Sequence, residues 1–175
     1  MIKKWYLFIM VVFFVSFFAS NCIGEPLSPK LCKAKVKAAS KLLKEKGRAA
    51  FDTFKDPKGE FRFGDGAGYV WVHDLEGIML VHPVTPSLNG KALFGLKDVN
   101  GVYFFVAFNE MVEEHGAGWV PYSWPKPGEE KSSPKISYVE LVMHGGNSYI
   151  VGSGMYDVTG EDIKKAFPND PVYEY

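Results

Sequence analysis

The sequence predicts an α+β domain, an antiparallel sheet with helices packed on it, and three patterns carry that expectation. An apolar period of three and four runs from Ser28 to about Lys55, period two takes over beyond Gly59, and one further helical stretch interrupts the extended runs. A length of 175 residues with 47% hydrophobic and 23% charged residues suits one globular domain rather than a disordered chain.

The first helix opens at Ser28-Pro29, with Ser as N-cap and Pro at the first helical position. Cys32, Val36, Ala39, Leu43, Gly47, Ala50 and Phe54 mark its buried face, and Asp56-Pro57 stops it. Cys32 falls on that face and reads as a small core residue. Lys30, Lys33, Lys37, Lys41 and Lys44 lie elsewhere on the helix. Such a face suits anionic lipid or nucleic acid, but a solvated helix face is the preferred reading.

Tyr69–His73 and Ile78–His82 read as a hairpin around Asp74-Leu75-Glu76-Gly77. A second helix is expected from Asn100-Gly101, burying Val102, Phe105, Phe108 (or Ala107), Met111 and Val112, and ending at His115-Gly116. Extended runs follow at Gly118–Trp124, Lys135–Met143 and Ser148–Met155. Thr159-Gly160-Glu161-Asp162 then caps a short helix through Phe167.

Residues 1–24 have the layout of an export signal. Lys3 and Lys4 precede an almost wholly apolar run from Trp5 to Ser20, and small residues follow at Ser20, Cys22 and Gly24. Cleavage after Gly24 is the preferred reading, with a retained anchor through residues 5–20 and a lipidated Cys22 as alternatives. Each places the rest of the chain outside the cytoplasm, periplasmic or extracytoplasmic, because the lysines stay inside. Without residues 1–24 the chain has 151 residues, with 18 basic against 20 acidic groups. That balance lacks the basic excess of a nucleic-acid binder. No second membrane segment or signalling domain is read between residue 25 and Tyr175, so a partner is expected to read any signal unless a retained N-terminal anchor carries it.

Catalytic and cofactor signatures are missing. His73, His82, His115 and His144 are scattered and lack metal-ligand spacing. Gly152-Ser153-Gly154 lies inside an extended run, so it is not a nucleophile elbow. Gly64-Asp65-Gly66-Ala67-Gly68 precedes a strand rather than opening a helix, which makes it a turn and not a phosphate loop. No enzyme, cofactor or metal is expected. Aromatic and polar residues do gather on the strands: Trp119, Tyr122, Trp124 and Tyr138 with Lys135, and Tyr69, Trp71 and His73 on one strand face. A lysine among Tyr and Trp donors suits a small carboxylate. The same residues also suit an ordinary sheet core.

Nine segments, in order across about residues 30–157, together resemble the single Cache domains, extracytoplasmic ligand-sensing modules. They are Asp56-Pro57-Lys58-Gly59, the run Gly68–Gly77, Val81-His82-Pro83, Leu88-Asn89-Gly90-Lys91, Leu96–Gly101, Gly116–Val120, Trp124-Pro125-Lys126-Pro127, Pro134–Val139 and Val151–Tyr156. The resemblance implies a long helix behind a PAS-like five-stranded antiparallel sheet, in a single domain over 25–175, with a ligand cavity on the opposite face. It implies a small organic acid as ligand and a membrane receptor, histidine kinase or transporter as partner. Carried onto this sequence, the pocket would comprise Tyr69, Trp71, His82, Tyr122, Trp124, Lys135 and Tyr138. Lys135 would pair with the carboxylate, Tyr122 and Tyr138 would donate hydrogen bonds, and Trp71 with Trp124 would wall the apolar end. His82 would contact the ligand or shape the turn before Pro83. The competing reading is a ligandless structural or interaction module of the same fold, which a filled cavity with Trp71 and Trp124 packed on core residues would mark.

Overall fold

The computed structural model describes residues 25–175, so the expected export signal lies outside the described residues. Helix α1 spans Pro29–Lys46, with the Ser28 hydroxyl accepting the Leu31 amide at 3.2 Å. A 3-10 turn at Gly47–Ala50 and helix α2, Phe51–Lys55, carry the chain on to Asp56. The expected single helix is thus two helices with a break. Gly47 causes it: its φ of +55° and ψ of −140° suit glycine alone, and its Cα lies against the His144 ring.

Strands β1 (Arg62–Phe63), β2 (Gly68–Asp74) and β3 (Met79–Val81) follow, then helix α3 (Phe104–His115). Strands β4 (Ala117–Pro125), β5 (Ser132–His144) and β6 (Asn147–Tyr156) lead to helix α4 (Gly160–Ala166), which the Thr159–Asp162 capping box opens. All strand pairs are antiparallel, in the order β1-β2-β6-β5-β4, with β3 also on the outer edge of β2. The sheet therefore has the five expected strands and one more, the two-residue β1, which is too short to show a period.

Helix α3 starts later than Asn100-Gly101. Asp98 Oδ1 accepts the amides of Asn100 at 2.8 Å and Val102 at 3.0 Å, and Gly101 takes a φ of +84°. The Asp-to-Gly stretch is a turn closed by its own side chain rather than a helix start.

Side chains alternate across the strands, so the sheet has two separate faces. Val70, Val72, Trp119, Ile136, Tyr138, Val142 and Val151 face α1, α2 and α4, burying Cys32, Val36, Leu43, Phe54 and Ile163. Burial raises the Cys32 thiol pKa to about 11, the behaviour of an inert core residue. Tyr69, Trp71, Val120, Tyr122, Val139 and Ile150 face α3 and pack on Phe104, Phe105, Phe108 and Met111.

The chain's own tail closes the outer edge of β4. The Trp119 amide donates to Pro171 O at 2.9 Å, and the Tyr173 amide donates to Trp119 O at 2.8 Å. The Ser123 amide reaches Asp98 Oδ2 at 2.8 Å. These bonds satisfy backbone groups that an exposed edge would offer to another chain. Among the described residues no helix is long and apolar enough to cross a membrane.

Replacing Gly47 with Ala is expected to lower unfolding free energy by about 1–3 kcal/mol through forced strain. Gly95→Ala, at a position with negative φ and open space, is expected to be close to neutral. Urea unfolding of both variants checks the contrast.

Candidate functional site

On the α3 face, Tyr69, Trp71, His82, Tyr122, Trp124 and Lys135 converge on one small cavity, together with Leu88, Phe104, Phe105 and Phe108. Six of the seven residues singled out in the sequence therefore meet. Tyr138 does not: it faces α1, its ring 5.1 Å from that of Trp119, so a role in this cavity is corrected. The reason is strand parity. Residues 135 and 138 are an odd number apart on β5, which puts their side chains on opposite faces.

Lys135 is the centre of the site. It is 2% exposed, and Nζ donates to Tyr69 Oη at 2.9 Å. The ammonium is 4.7 Å from the Tyr69 ring, 4.9 Å from Tyr156, 5.6 Å from Trp71 and 5.9 Å from Tyr122. These rings offer it their negative faces. Among the described residues no carboxylate forms an ion pair with it. Glycines on β6 make room for the arrangement. A Cβ at Gly154 would lie 2.8 Å from Lys135 Cε, and one at Gly152 would lie 2.8 Å from Trp71 Cη2.

The other polar groups around Lys135 are mainly donors. His82 Nδ1 accepts the Thr85 amide at 2.9 Å, which assigns the ring proton to Nε2. Burial, then the nearby charges of Lys135 and Arg62, hold the His82 pKa down at about 3, so the ring stays neutral. The Trp71 indole N–H is buried without a partner. Tyr122 Oη and Ser137 Oγ share a hydrogen bond of 3.0 Å, and burial raises the Tyr122 pKa, keeping it protonated. Arg62 sits on the outer side, 5.7 Å from the Tyr69 ring.

Free space inside the cavity is about 10 Å³, roughly room for one water. Trp71 packs on Phe108 with ring centroids 5.7 Å apart, and Trp124 on Phe104 at 5.4 Å. Tyr122 stacks on Phe104 at 4.6 Å. A vestibule of about 280 Å³ adjoins the cavity through Tyr69 and Trp124, and the loops at Val84-Thr85 and Pro125–Glu129 line it. The α3 phenylalanines and Tyr156 were not among the expected pocket residues. The helical period marks Phe105 and Phe108 as buried but does not tell core from cavity wall.

His73 is on the same strand face as Trp71 but serves the scaffold. Its Nε2 donates to Asn109 Oδ1 at 3.2 Å, and Asn109 Nδ2 donates to Leu75 O at 2.7 Å, which ties α3 to the β2–β3 turn. Among the described residues no group of three or more His, Cys, Asp or Glu side chains could hold a metal ion.

This PAS-like sheet, with a small lysine-centred cavity on the face away from the N-terminal helix, has the architecture of a sensor domain. The family model of single Cache domain 2 matches residues 39–167, and the chain belongs to that family. It is 40% identical over 102 residues to the methyl-accepting chemotaxis protein McpP of Pseudomonas putida, covering 55% of this chain and 18% of that relative. This chain thus spans under one fifth of that protein. A solved periplasmic sensor domain of a chemotaxis protein is 36% identical, with a TM-score of 0.62, covering 74% of this chain and 94% of its own. A Cache chemosensory domain described in terms of carboxylic acid recognition is 30% identical, with a TM-score of 0.63 over 74% of this chain and 92% of its own.

His73 and His82 make stability depend on pH. Both have folded pKa values near 3 against 6.5 unfolded. Below 6.5 the unfolded chain takes up protons that the folded chain refuses, so stability is full above 6.5 and falls as pH drops toward 3. At pH ~4.5 the loss is roughly 2–3 kcal/mol for each histidine. Melting temperature against pH checks this, and a profile flat between 6.5 and 4 contradicts it.

Proposed function

We propose that this domain binds a small organic acid outside the cytoplasm, a short-chain carboxylate that completes the site at Lys135. The supporting observation is the buried ammonium without a protein carboxylate. Removing a charge from water costs several kcal/mol unless it is paired. Tyrosine rings and one hydroxyl offset part of that cost, and a ligand carboxylate supplies the missing charge. His82 Nε2–H and the unpartnered Trp71 N–H offer it further donors. Trp71, Trp124 and Phe104 form the apolar wall for a chain of a few carbons.

The reading has no catalytic step: the acid is held by donors, Lys135 Nζ, His82 Nε2–H and the Trp71 N–H. Sensing then follows from space. A cavity of about 10 Å³ cannot take even a two-carbon acid as it stands, so binding moves a wall. The half-buried Val84-Thr85 loop and the Pro125–Glu129 loop around the vestibule are the candidates. A receptor, kinase or transporter in the same membrane would read that displacement.

The tight packing also favours a second reading, a ligandless interaction module with a filled core. Thermal shift separates the two. A panel of two- to four-carbon acids is expected to raise the melting temperature, by about 2.7 kcal/mol of stabilisation at a hundredfold excess over Kd. Lys135→Met, which keeps the stem and removes the charge, is expected to abolish the shift while folding at least as stably. Tyr138→Phe is expected to keep it. If no acid shifts the wild type, the ligandless reading stands; a shift that survives Lys135→Met overturns the site.

A further inference from the structure

The charges of the described domain are segregated. Residues 25–175 carry 18 basic and 20 acidic side chains; α1 alone takes seven of the lysines and only Glu45 of the acids, leaving eleven basic against nineteen acidic groups elsewhere. The result is a strongly positive helix on an acidic body. Lys30, Lys37, Lys41 and Lys44 are exposed and fall within an arc of about 60° on the side turned from the core stripe of Cys32, Val36, Ala39 and Leu43. Lys37 leans toward the sheet, 3.7 Å from Glu140 and 6.0 Å from the Tyr138 ring, and among the described residues Lys30, Lys41 and Lys44 have no acidic partner.

We infer that this lysine ridge is a docking surface for an anionic lipid bilayer. Two further features select a bilayer over other polyanions. Beside the lysines the exposed face offers Ala34, Ala38 and the single acid Glu45, with no large apolar group for insertion and no aromatic group for stacking on bases. Contact is therefore peripheral and electrostatic. The apolar run Trp5–Ser20 also ends eight residues before Ser28, a span of at most ~29 Å. In the retained-anchor alternative that tether keeps α1, itself ~27 Å long, within reach of the surface; in the cleaved form the charge of the ridge acts alone. The acidic body is repelled by the same surface, so the domain docks helix-first with the cavity facing outward. None of this depends on which ligand fills the cavity.

Lysine footprinting on the full-length chain tests the inference without substitutions. The protein is incorporated into vesicles of phosphatidylcholine alone, or of equal parts phosphatidylcholine and phosphatidylglycerol, and treated with an amine-acetylating reagent. Mass spectrometry then reads each lysine. Lys30, Lys41 and Lys44 are expected to be modified several-fold less in the anionic vesicles, while Lys91 and Lys97 on the opposite side of the sheet are unchanged. Protection is expected to vanish at ~1 M salt, where the Debye length is ~3 Å. Equal modification in both vesicle types overturns the inference. So does protection that is independent of lipid charge and grows with protein concentration, because that marks contact with a second copy.

Discussion

A single buried ammonium organises the α3 side of this domain. Lys135 begins the buried part of β5, and the antiparallel register sets it opposite Tyr156 on β6 and Tyr122 on β4. Tyr69 then meets it from β2 through a 2.9 Å hydrogen bond. Four rings face the charge, yet none neutralises it, since ring quadrupoles contribute about a kcal/mol or two each rather than a full counter-charge. Glycines 152 and 154 matter for the same reason: a side chain at either would displace the indole or the lysine stem. His82, kept neutral first by its own burial and then by the charge of Lys135, adds a donor to the same cavity.

The two faces of the sheet divide the work. Toward α1 the packing is closed and anchored, with Lys33 bridging to Asp170 at 2.6 Å and Trp119 Nε1 bonding the same carboxylate at 3.0 Å. Toward α3 it is aromatic: Phe104 is tilted against Phe105, and Tyr122 stacks on Phe104 and meets Phe108 edge-on. Asp98 joins the regions by bonding both the turn before α3 and the amide of Ser123 on β4.

Much of this was legible in the sequence because the signals are local. Ser28-Pro29 and Thr159 are caps whose chemistry acts within one turn, and period two marked four of the strands closely. What failed were features that depend on distant partners. The break at Gly47 is set beside His144, nearly a hundred residues away, and the turn at Asp98 is completed by Ser123. The tail on β4 has no periodicity at all. Tyr138 was grouped with Lys135 by proximity in sequence and a family pattern, although simple alternation along β5 separates them. The α3 phenylalanines became a cavity wall only once helix and sheet were placed together.

The central claim is that a ligand carboxylate completes the charge of Lys135. A crystal structure grown with a two- to four-carbon acid tests it most directly. The account predicts the acid inside the α3-side cavity, with a carboxylate oxygen within hydrogen-bond distance of Lys135 Nζ and the Val84-Thr85 or Pro125–Glu129 loop displaced to admit it. An empty cavity at saturating acid, with Lys135 still bonded only to Tyr69, would contradict it.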